Sequence, residues 1–594
     1  MSRTRENPIR LPVRNKLVNR VLSRLIGLQP AIDIYDAWLR AHPDDSLLPG
    51  ARLLEHALSI LNVRLGWQDS RAFKKIPRKG PVVVVANHPL GGLEGMLLTK
   101  ELLKHRRDTK VLTNELLLRM PEFADIFIGL DVLSEEASSK NTRGVRAACR
   151  HLDAGGTLLI FPAGTVASIR PGRLRIEDGH WHNLVGRLAR RYQAACLPVH
   201  VEARNSRLFY VVGLLHKRLR TVLLPWEMAH KRNSVIKAYA GEVVNARDVE
   251  ELGDPDLITR YLRLSSDMLS PASRRTSAKT SARPVARLAP DIDSGKLRKK
   301  LAMLESYQLV NDAVYSVYCA PYDALGCLMD QIAVDRERTF RAVDEGTGRE
   351  LDSDHFDPYY WHLWVWNKEK NELVGAYRVG KIDEIITRHG IGCLYSRSLY
   401  EFNQAFIRQL GSAIEVGRSF VTLPYQRHPK SLDLLWRGIG AFMVRNPSYH
   451  TLFGSVSISR QYSALAHAFL ADTMMKNFCV SQEWLQHVRP QEPLRVSGRP
   501  WTPEILASLN NITAINKLLG NLDGGKRMPI LLRHYLALNG RFASFTVNKG
   551  FNHSLDGLII VDLRTAPEKY LNRYLGKEGS QLFLQRWTED AQAA

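Results

Sequence analysis

The sequence predicts an α/β domain followed by an α+β domain. Three observations carry that expectation. The first half alternates short apolar runs with helical stretches, the second half separates β-rich runs by tight turns, and a basic stretch poor in large apolar residues lies between them. A chain of 594 residues has room for roughly two to four domains of about 150 residues.

Residues 1–50 come first. Val13, Leu17, Val18, Val21, Leu22 and Leu25 recur at helical spacing, with Arg14, Lys16, Arg20 and Arg24 between them. This is an amphipathic helix with a basic face, a pattern suited to the lipid headgroup region. Packing on the next domain is the plainer alternative. Residues 51–250 form the α/β domain. Pro81 to Ala86 (PVVVVA), Thr157 to Phe161 (TLLIF) and Leu197 to Val201 (LPVHV) read as strands, and Glu94 to Lys104 as a helix. Continuous apolar strands separated by helices imply a sheet covered on both faces.

Residues 251–304 read as a flexible basic linker, with nine Lys+Arg from Arg274 to Lys300 against Asp291 and Asp293. In 305–594, His362 to Trp366, Leu373 to Val379, Ala413 to Val421, Thr451 to Ser459 and Gly557 to Leu563 read as strands. WNKEKNELVG (366–375) is a hairpin, and the whole is a mainly antiparallel sheet with flanking helices.

Composition narrows the function. The 83 Lys+Arg exceed the 60 Asp+Glu by 23, which draws the chain towards nucleic acid, anionic lipid or acidic proteins. No nucleic-acid motif accompanies the charge, and Tyr359, Tyr360, Trp361, Trp364 and Trp366 alternate as a packed strand does. Six cysteines without a Cys-x-x-Cys pair argue against zinc or a disulfide framework and suit a reducing compartment. The 19 histidines show no metal spacing, so no metal is expected. No apolar run approaches the roughly 20 residues of a membrane-spanning helix, and the N-terminus lacks the features of a secretory signal. The expectation is a cytoplasmic protein without a transmembrane helix, soluble or lying on a membrane. Gly520 to Lys526 nearly matches a phosphate-binding loop, but Arg527 stands where Ser or Thr should hold magnesium and no strand precedes it.

Chemistry concentrates at strand ends. PVVVVA runs into Asn87-His88-Pro89-Leu90-Gly91-Gly92-Leu93-Glu94. A continuous helix would put His88 and Glu94 on different faces. Pro89 and the Gly91-Gly92 pair break it, so a loop can fold the acid onto the imidazole, fixing its tautomer and leaving a general base. A structural turn is the alternative. Phe161-Pro162-Ala163-Gly164-Thr165 follows a second strand and His200-Val201-Glu202 lies near a third, so three strand ends would converge on one crevice.

NHPLGGLEG, FPAGT and LPVHVE resemble the motifs of glycerolipid (lysophosphatidic acid-type) acyltransferases over about residues 75–245. The likeness implies that His88 deprotonates an acceptor hydroxyl attacking an acyl thioester, that Glu94 supports it, and that Phe161, Pro162, Gly164 and Thr165 line the acceptor. The family's acid is an Asp one residue nearer the His, and its FPEGTR becomes FPAGTV here. Ala163 and Val166 thus replace the charged pair tied to a phosphate-bearing acceptor. Either the domain is degenerate or its acceptor carries no glycerol phosphate; the intact His88 favours the second.

The second half places charges inside apolar strands. Arg336 and Phe340 share a helix face, Asp354 and Asp357 lie in LDSDHFDPYY, Arg378 in VGAYRVG, and Glu415 with Arg418 in AIEVGRSFV. Buried charges need partners, so an ion-pair network is one reading. A pocket for a zwitterion is the other, with arginines for a carboxylate, aspartates for an ammonium and a carboxylate base for an attacking amine. Glu415 and Arg418 point to opposite faces unless a bulge intervenes, which Gly417 permits.

RERTF, DHFD, VGAYR and EVGRSFV resemble acyl-homoserine-lactone synthases and ornithine N-acyltransferases of the Gcn5-related fold. The later YQRHPKSLDLLWRGIGAF and LDGLIIVDL lean to the ornithine branch, the likeness covering about residues 305–565. It implies Glu415 as base and Arg336, Phe340, Asp354, Asp357, Arg378 and Arg418 as binding residues. Together the halves resemble the bifunctional bacterial ornithine lipid synthases. The resemblance implies N-acylation of ornithine with a 3-hydroxyacyl group from acyl carrier protein, then O-acylation of the lyso-ornithine lipid. It implies no cofactor beyond the acyl thioester, and a peripheral place on the anionic inner-membrane surface. Another amino acid headgroup, a lysophospholipid acceptor and a catalytically decayed membrane scaffold are the competing readings.

Overall fold

Val82 to Ala86 are buried without a break, each at most 1% exposed, as a strand flanked by neighbours and covered on both faces must be. The computed structural model describes the chain apart from residues 1–6, 14, 26, 42–48, 70–72, 131–140, 170–175, 216, 272–284 and 594. It divides into two units, Met1–Arg274 with Pro500–Lys526, and Arg275–Arg499 with Arg527–Ala594.

The first unit holds a seven-stranded sheet of β1 (Arg64–Asp69), β2 (Val82–Ala86), β3 (Thr109–Asn114), β4 (Phe127–Leu130), β5 (Thr157–Ile160), β8 (Ala195–Glu202) and β9 (Val235–Ala240). A two-stranded antiparallel ladder, β6 (Ser168–Ile169) with β7 (Ile176–Glu177), stands apart from it. The sheet order is β1-β9-β8-β2-β5-β3-β4, and β2 runs parallel to both β5 and β8. Parallel pairing puts the C-terminal ends of these three strands on one edge, as the sequence led us to expect. Val82, Val84 and Ala86 share an apolar cluster with Leu93, Leu97 and Leu98 of α2 (Leu93–His105).

Ahead of the sheet, α1 spans Lys16–Leu25; after β8 come α3 (Arg207–Leu215), α4 (Lys217–Val222) and α5 (Leu224–His230), then α6 (Pro255–Asp267). A later helix, α9 (Ile512–Leu522), also belongs to this unit. Its buried Ile515, Leu518 and Leu519 require an apolar partner, and the polar seams register it. The Tyr261 hydroxyl of α6 donates to the Ala514 carbonyl at 3.1 Å, and Asn521 accepts from the Glu242 amide at 2.8 Å. The C-terminal domain drawn as continuous over 305–594 is therefore interrupted. Gly524 and Gly525, in the near-match to a phosphate loop, follow the end of α9 with φ of +62° and +90°.

The linker drawn over 251–304 is also shorter. Residues 255–267 are helical in the first unit, whereas the Ala286 and Ala289 amides bond the Gly348 and Glu350 carbonyls of the second at 2.9 and 3.0 Å. Asp293 caps α7 (Ser294–Ala302). Between these anchors, 272–284 lie outside the described residues.

The second unit holds an eight-stranded sheet of β10 (Gln308–Asn311), β11 (Tyr315–Pro321), β12 (Trp361–Asn367), β13 (Glu372–Lys381), β15 (Ala413–Val421), β16 (Thr451–Ile458), β18 (Arg541–Asn548) and β19 (Ser554–Asp562). A separate two-stranded ladder joins β14 (Tyr400–Phe402) to β17 (Val488–Pro490). The large sheet runs β10-β11-β12-β13-β15-β16-β19-β18, antiparallel except for β15 beside β16. That parallel pair is registered only over Ala413–Glu415 with Thr451–Phe453, while β15 keeps its ladder to β13 up to Val421. The sheet is forked beyond Glu415. At the fork a Cβ on Gly454 would stand 2.0 Å from the Val416 carbonyl oxygen, so only glycine lets the strands meet there. The register of β13 with β15 shifts between Ala376 and Arg378, which is the bulge anticipated next to Gly417. The left-handed residue is Arg418 itself, at φ +49°. Trp364 and Trp366 are buried, and Tyr318 stacks on Trp364 at 5.2 Å, so this aromatic ladder is sheet packing.

Candidate active sites

The end of β2 builds the first site. Asn87 ties the strand end to β8, its amide donating to the Val201 carbonyl at 3.0 Å and its oxygen accepting from the Val201 amide at 2.7 Å. The chain then turns through Gly91, at φ +102°, where a Cβ would come within 2.7 Å of Leu224 on α5. This turn brings Glu94, on the first turn of α2, back onto the strand end. Its Oε1 lies 3.0 Å from His88 Nδ1 and accepts the Leu90 and Gly91 amides at 2.9 and 3.0 Å.

Burial, the largest influence on each partner, disfavours both charges, yet the pair overcomes it. The Glu94 charge and hydrogen bond raise the His88 pKa above its ordinary value, and His88 with the Leu90 amide lowers that of Glu94. With Nδ1 held by the acid, Nε2 is the nitrogen left to take a proton from a hydroxyl. The side chain of His88 keeps 16% exposure while Glu94 has none, so the imidazole is reachable from solvent and its partner is not.

The FPAGT turn wraps the same histidine. The Phe161 ring lies 4.6 Å from the imidazole, the Ala167 amide donates to the His88 carbonyl at 2.8 Å, and the His182 amide donates to that of Pro162 at 3.0 Å. Pro162 is buried, and Gly164 and Thr165 are exposed beyond it. Ala163 and Val166 are buried, Val166 in an apolar cluster with Phe209 and Tyr210 of α3. Glu202 accepts the Tyr239 hydroxyl at 3.0 Å, a bond to β9. One acid escaped the sequence reading. Asp178, just after β7, accepts the His88 amide at 3.1 and 3.3 Å and the Trp181 indole N–H at 3.1 Å. It lies ninety positions from His88, beyond a two-residue strand without periodicity, so nothing local signals it.

In the second unit α8 (Cys327–Ala342) carries Arg336 into the sheet's charged layer. Its guanidinium meets Asp352 at 3.1 Å and Asp357 at 3.0 Å, with both acids and the arginine at most 1% exposed. Arg378 on β13 reaches Asp354 at 2.7 Å and Asp357 at 3.3 Å. Arg418, aimed by the bulge, reaches Asp354 at 3.1 Å and Asp352 at 3.7 Å. The six groups form one network. Burial opposes the charge on Asp354 and Asp357, but the arginines outweigh it and hold both carboxyls below the usual range. His362, bonded to the Asp357 carbonyl at 3.1 Å, is pushed down to about 4 by burial and stays neutral.

The charges form the ion-pair network that was one of the two expectations raised by the sequence. The aspartates face arginines here, while the buried Nε and Nη2 of Arg378 and Nε of Arg418 have no hydrogen-bond partner among the described residues. Those N–H groups are the donors an anionic substrate group would take. Tyr395 lies between the two guanidiniums, 4.7 Å from that of Arg378 and 5.0 Å from that of Arg418. Phe340 is not in the charged layer; its ring packs on Phe551 at 4.7 Å, and Phe551 in turn supports Arg418 at 5.0 Å.

Glu415 sits at the vertex of the fork, opposite Phe453. It is 2% exposed, accepts the Ser396 amide at 2.6 Å, and is hydrogen-bonded by the Tyr360 hydroxyl. Burial raises its pKa, and the same burial with the adjacent carboxylate raises that of Tyr360 well above the usual phenol value. The Tyr360 oxygen also accepts the Tyr395 amide at 2.8 Å. With both carboxylate oxygens engaged, a proton reaches Glu415 most directly through the phenol. Tyr360, Tyr395, Ser396 and Asp352 were missed as site residues, although Asp352 stands two positions before Asp354 and the spacing was available.

Comparison with known proteins agrees with both halves. A family model described as Acyltransferase matches residues 57–253, and one described as Acetyltransferase (GNAT) domain matches 336–437. The chain is similar to a glycine N(alpha)-acyltransferase of Bacteroides thetaiotaomicron, 32% identical over 42% of this chain and 77% of the relative. It is 25% identical to an L-ornithine N(alpha)-acyltransferase of Agrobacterium fabrum, over 41% of this chain and 77% of the relative. A lyso-glycine lipid O-acyltransferase of Phocaeicola vulgatus is 26% identical over 29% of this chain and 58% of the relative. Among the described residues no helix is long and apolar enough to cross a membrane.

Proposed function

Since the chain belongs to the N(alpha)-acyltransferase family represented by the Bacteroides thetaiotaomicron relative, we propose that it makes an acylated amino acid lipid in two steps, with ornithine as the headgroup. The second unit joins a 3-hydroxyacyl group from acyl carrier protein to the α-amine. The first unit acylates the resulting 3-hydroxyl from a second acyl carrier protein thioester. The observation that carries the reading is the presence on one chain of the His88–Glu94 pair and of a forked sheet with Glu415 at its vertex.

In the first step the unpaired donors of Arg378 and Arg418 hold the amino acid carboxylate. The amine attacks the thioester carbonyl and its proton passes through Tyr360 to Glu415 as the C–N bond forms; the C–S bond breaks and the carrier thiolate leaves, to be reprotonated. Beyond the fork, the edge of β15 that no longer pairs with β16 offers main-chain groups to the amides of an extended pantetheine arm. In the second step Nε2 of His88 takes the hydroxyl proton as oxygen attacks, Glu94 stabilises the imidazolium, and the thiolate leaves with a proton returned from it. Buried, apolar Ala163 and Val166 suit an acceptor without a glycerol phosphate.

Ornithine is supported by two buried acids the chemistry above leaves unused. Glu345 is pushed up to about 8 by burial and by Asp556, whose own pKa burial also raises. Ser457 binds Glu345 and lies opposite Asp556 in the β16–β19 ladder, so both acids sit beside the diverging arm of the fork. A cationic side chain would restore their charge. The relative at 32% identity, named for glycine, favours a second reading with a glycine headgroup.

The outward apolar face of α1, with Leu17 76% and Val21 50% exposed among Arg20 and Arg24, supports a peripheral place on anionic membrane. Expression in a host without amino acid lipids, fed labelled ornithine or glycine in parallel, tests the proposal by lipid mass spectrometry. Label from ornithine in a diacylated product is expected, and His88→Ala should stop at the monoacyl lipid. Label from glycine alone would replace the headgroup; label in neither would remove the proposal.

A further inference from the structure

The exposed face of α3 is not accounted for by the first unit's core. Phe209 and Tyr210 are buried against Val166, next to the turn that wraps His88. On the opposite side Leu208, Val211 and Leu214 recur every third residue with 52, 54 and 61% exposure, and Val222 of α4 adds 43%. Such a stripe is costly to leave in water and marks an interaction surface. The segment is also one-signed. No Asp or Glu occurs from residue 203 to 226, while Arg204 and Arg207 are exposed beside the stripe.

We infer that the outer face of α3 docks on an anionic lipid bilayer, at the side of the first unit where the His88 crevice receives its acceptor. The inference rests on the reading of that crevice as a lipid O-acylation site. Three contacts tie the face to the crevice and to α1. Asn205 donates to the Pro89 carbonyl at 3.2 Å, one residue past His88. Leu224, at the start of α5, fills the space beside Gly91. Gly27, two residues past α1, lies against Trp226 of α5, where a Cβ would be 2.5 Å from the Trp226 Cβ. The stretch carrying α1 likewise has no acid between Glu6 and Asp33. Two apolar faces flanked by arginine, fixed to one short segment, match the two layers of a membrane surface. Hydrocarbon takes Leu208, Val211 and Leu214, and anionic headgroups take the guanidiniums.

The test uses the full chain and vesicles of phosphatidylcholine with and without phosphatidylglycerol. L208S/V211S/L214S, built with α1 intact and also with L17S/V21S, should lower the vesicle partition about tenfold or more, the scale set by losing three half-exposed apolar side chains. R204Q/R207Q should lower it only on vesicles containing phosphatidylglycerol. All three substituted positions of the stripe are exposed, so the melting temperature and N-acylation in solution should stay at the parent values. Partition equal to that of the parent in both backgrounds overturns the inference. So does a change in oligomeric state on sedimentation without a change in vesicle binding, which would assign the face to a second copy. Loss of vesicle binding in a protein that makes no diacyl lipid would keep the docking face and discard the catalytic reading it was attached to.

Discussion

Replacing Glu94 by Gln isolates one charge at the first site. The side chain keeps its length, and its carbonyl can still accept the Leu90 and Gly91 amides that Oε1 accepts now. What disappears is the negative charge 3.0 Å from His88 Nδ1. At an effective dielectric constant of about 20, a charge pair at that distance is worth about 5–6 kcal/mol before solvent competes. Removing one partner of a buried pair costs about 3–5 kcal/mol. The imidazolium exists in the transition state and not in the resting base, so most of this falls on the barrier, an expected loss of about 10²- to 10⁴-fold in O-acylation.

The pH profile supplies an independent sign. Glu94 raises the His88 pKa, and a base works only when neutral, so the variant should keep its residual activity to lower pH than the parent. The pair's stabilising effect follows the same logic. Its histidine share is full below the unfolded histidine pKa and is lost as pH rises through the raised folded value. Its glutamate share is present above the unfolded carboxyl pKa and is lost as pH falls through the depressed folded value. The assay is acyl transfer from acyl carrier protein to purified monoacyl lipid across pH, with N-acylation as the internal control. A rate within about threefold of the parent, or an acid limb that does not move, would refute the assignment of Glu94 as the partner of a catalytic base.

Arg336→Met leaves Asp352 and Asp357 each short of a buried partner and should destabilise the second unit by about 3–5 kcal/mol, read by urea unfolding, with O-acylation of supplied monoacyl lipid retained. Glu415→Gln should reduce N-acylation by about 10²- to 10⁴-fold and so remove both products in cells, while Tyr360→Phe should lower the rate without abolishing amino acid binding. Asp178→Asn keeps an acceptor for the His88 amide but loses the charge, so its acid limb should also move to lower pH, by less than in Glu94→Gln.

Local pattern made much of this structure readable. Four valines in a row announce a strand covered on both faces, and PVVVVANHPLGGLE places a breaker-rich turn between the histidine and the acid, which allowed their pairing beside the alternative of a purely structural turn. The charges at 336, 354, 357, 378, 415 and 418 stood out because burial forbids isolated ones. Partners distant in sequence did not show. Asp178 reaches His88 from just past a short strand that hydropathy does not mark, and Tyr360 reads as one more aromatic of a packed strand. The bulge was foreseen at glycine, but three-dimensional demand placed the left-handed conformation on Arg418, whose guanidinium gains two carboxylates from that turn. The return of α9 was hidden for another reason. Its apolar stripe says that it needs a surface and cannot say which one.

That return has a consequence for how the protein can be divided. A gene cut in the basic stretch would release a first-unit fragment ending near Arg274 with the mate of Tyr261 and Glu242 left on the other polypeptide. The bared flank of α6 would invite insolubility, and the fragment should recover only when residues 500–526 are supplied in trans or grafted to its end. The first unit thus keeps a thread of the second half doubling back into it, and dissecting the chain calls for a circular rearrangement instead of a simple truncation.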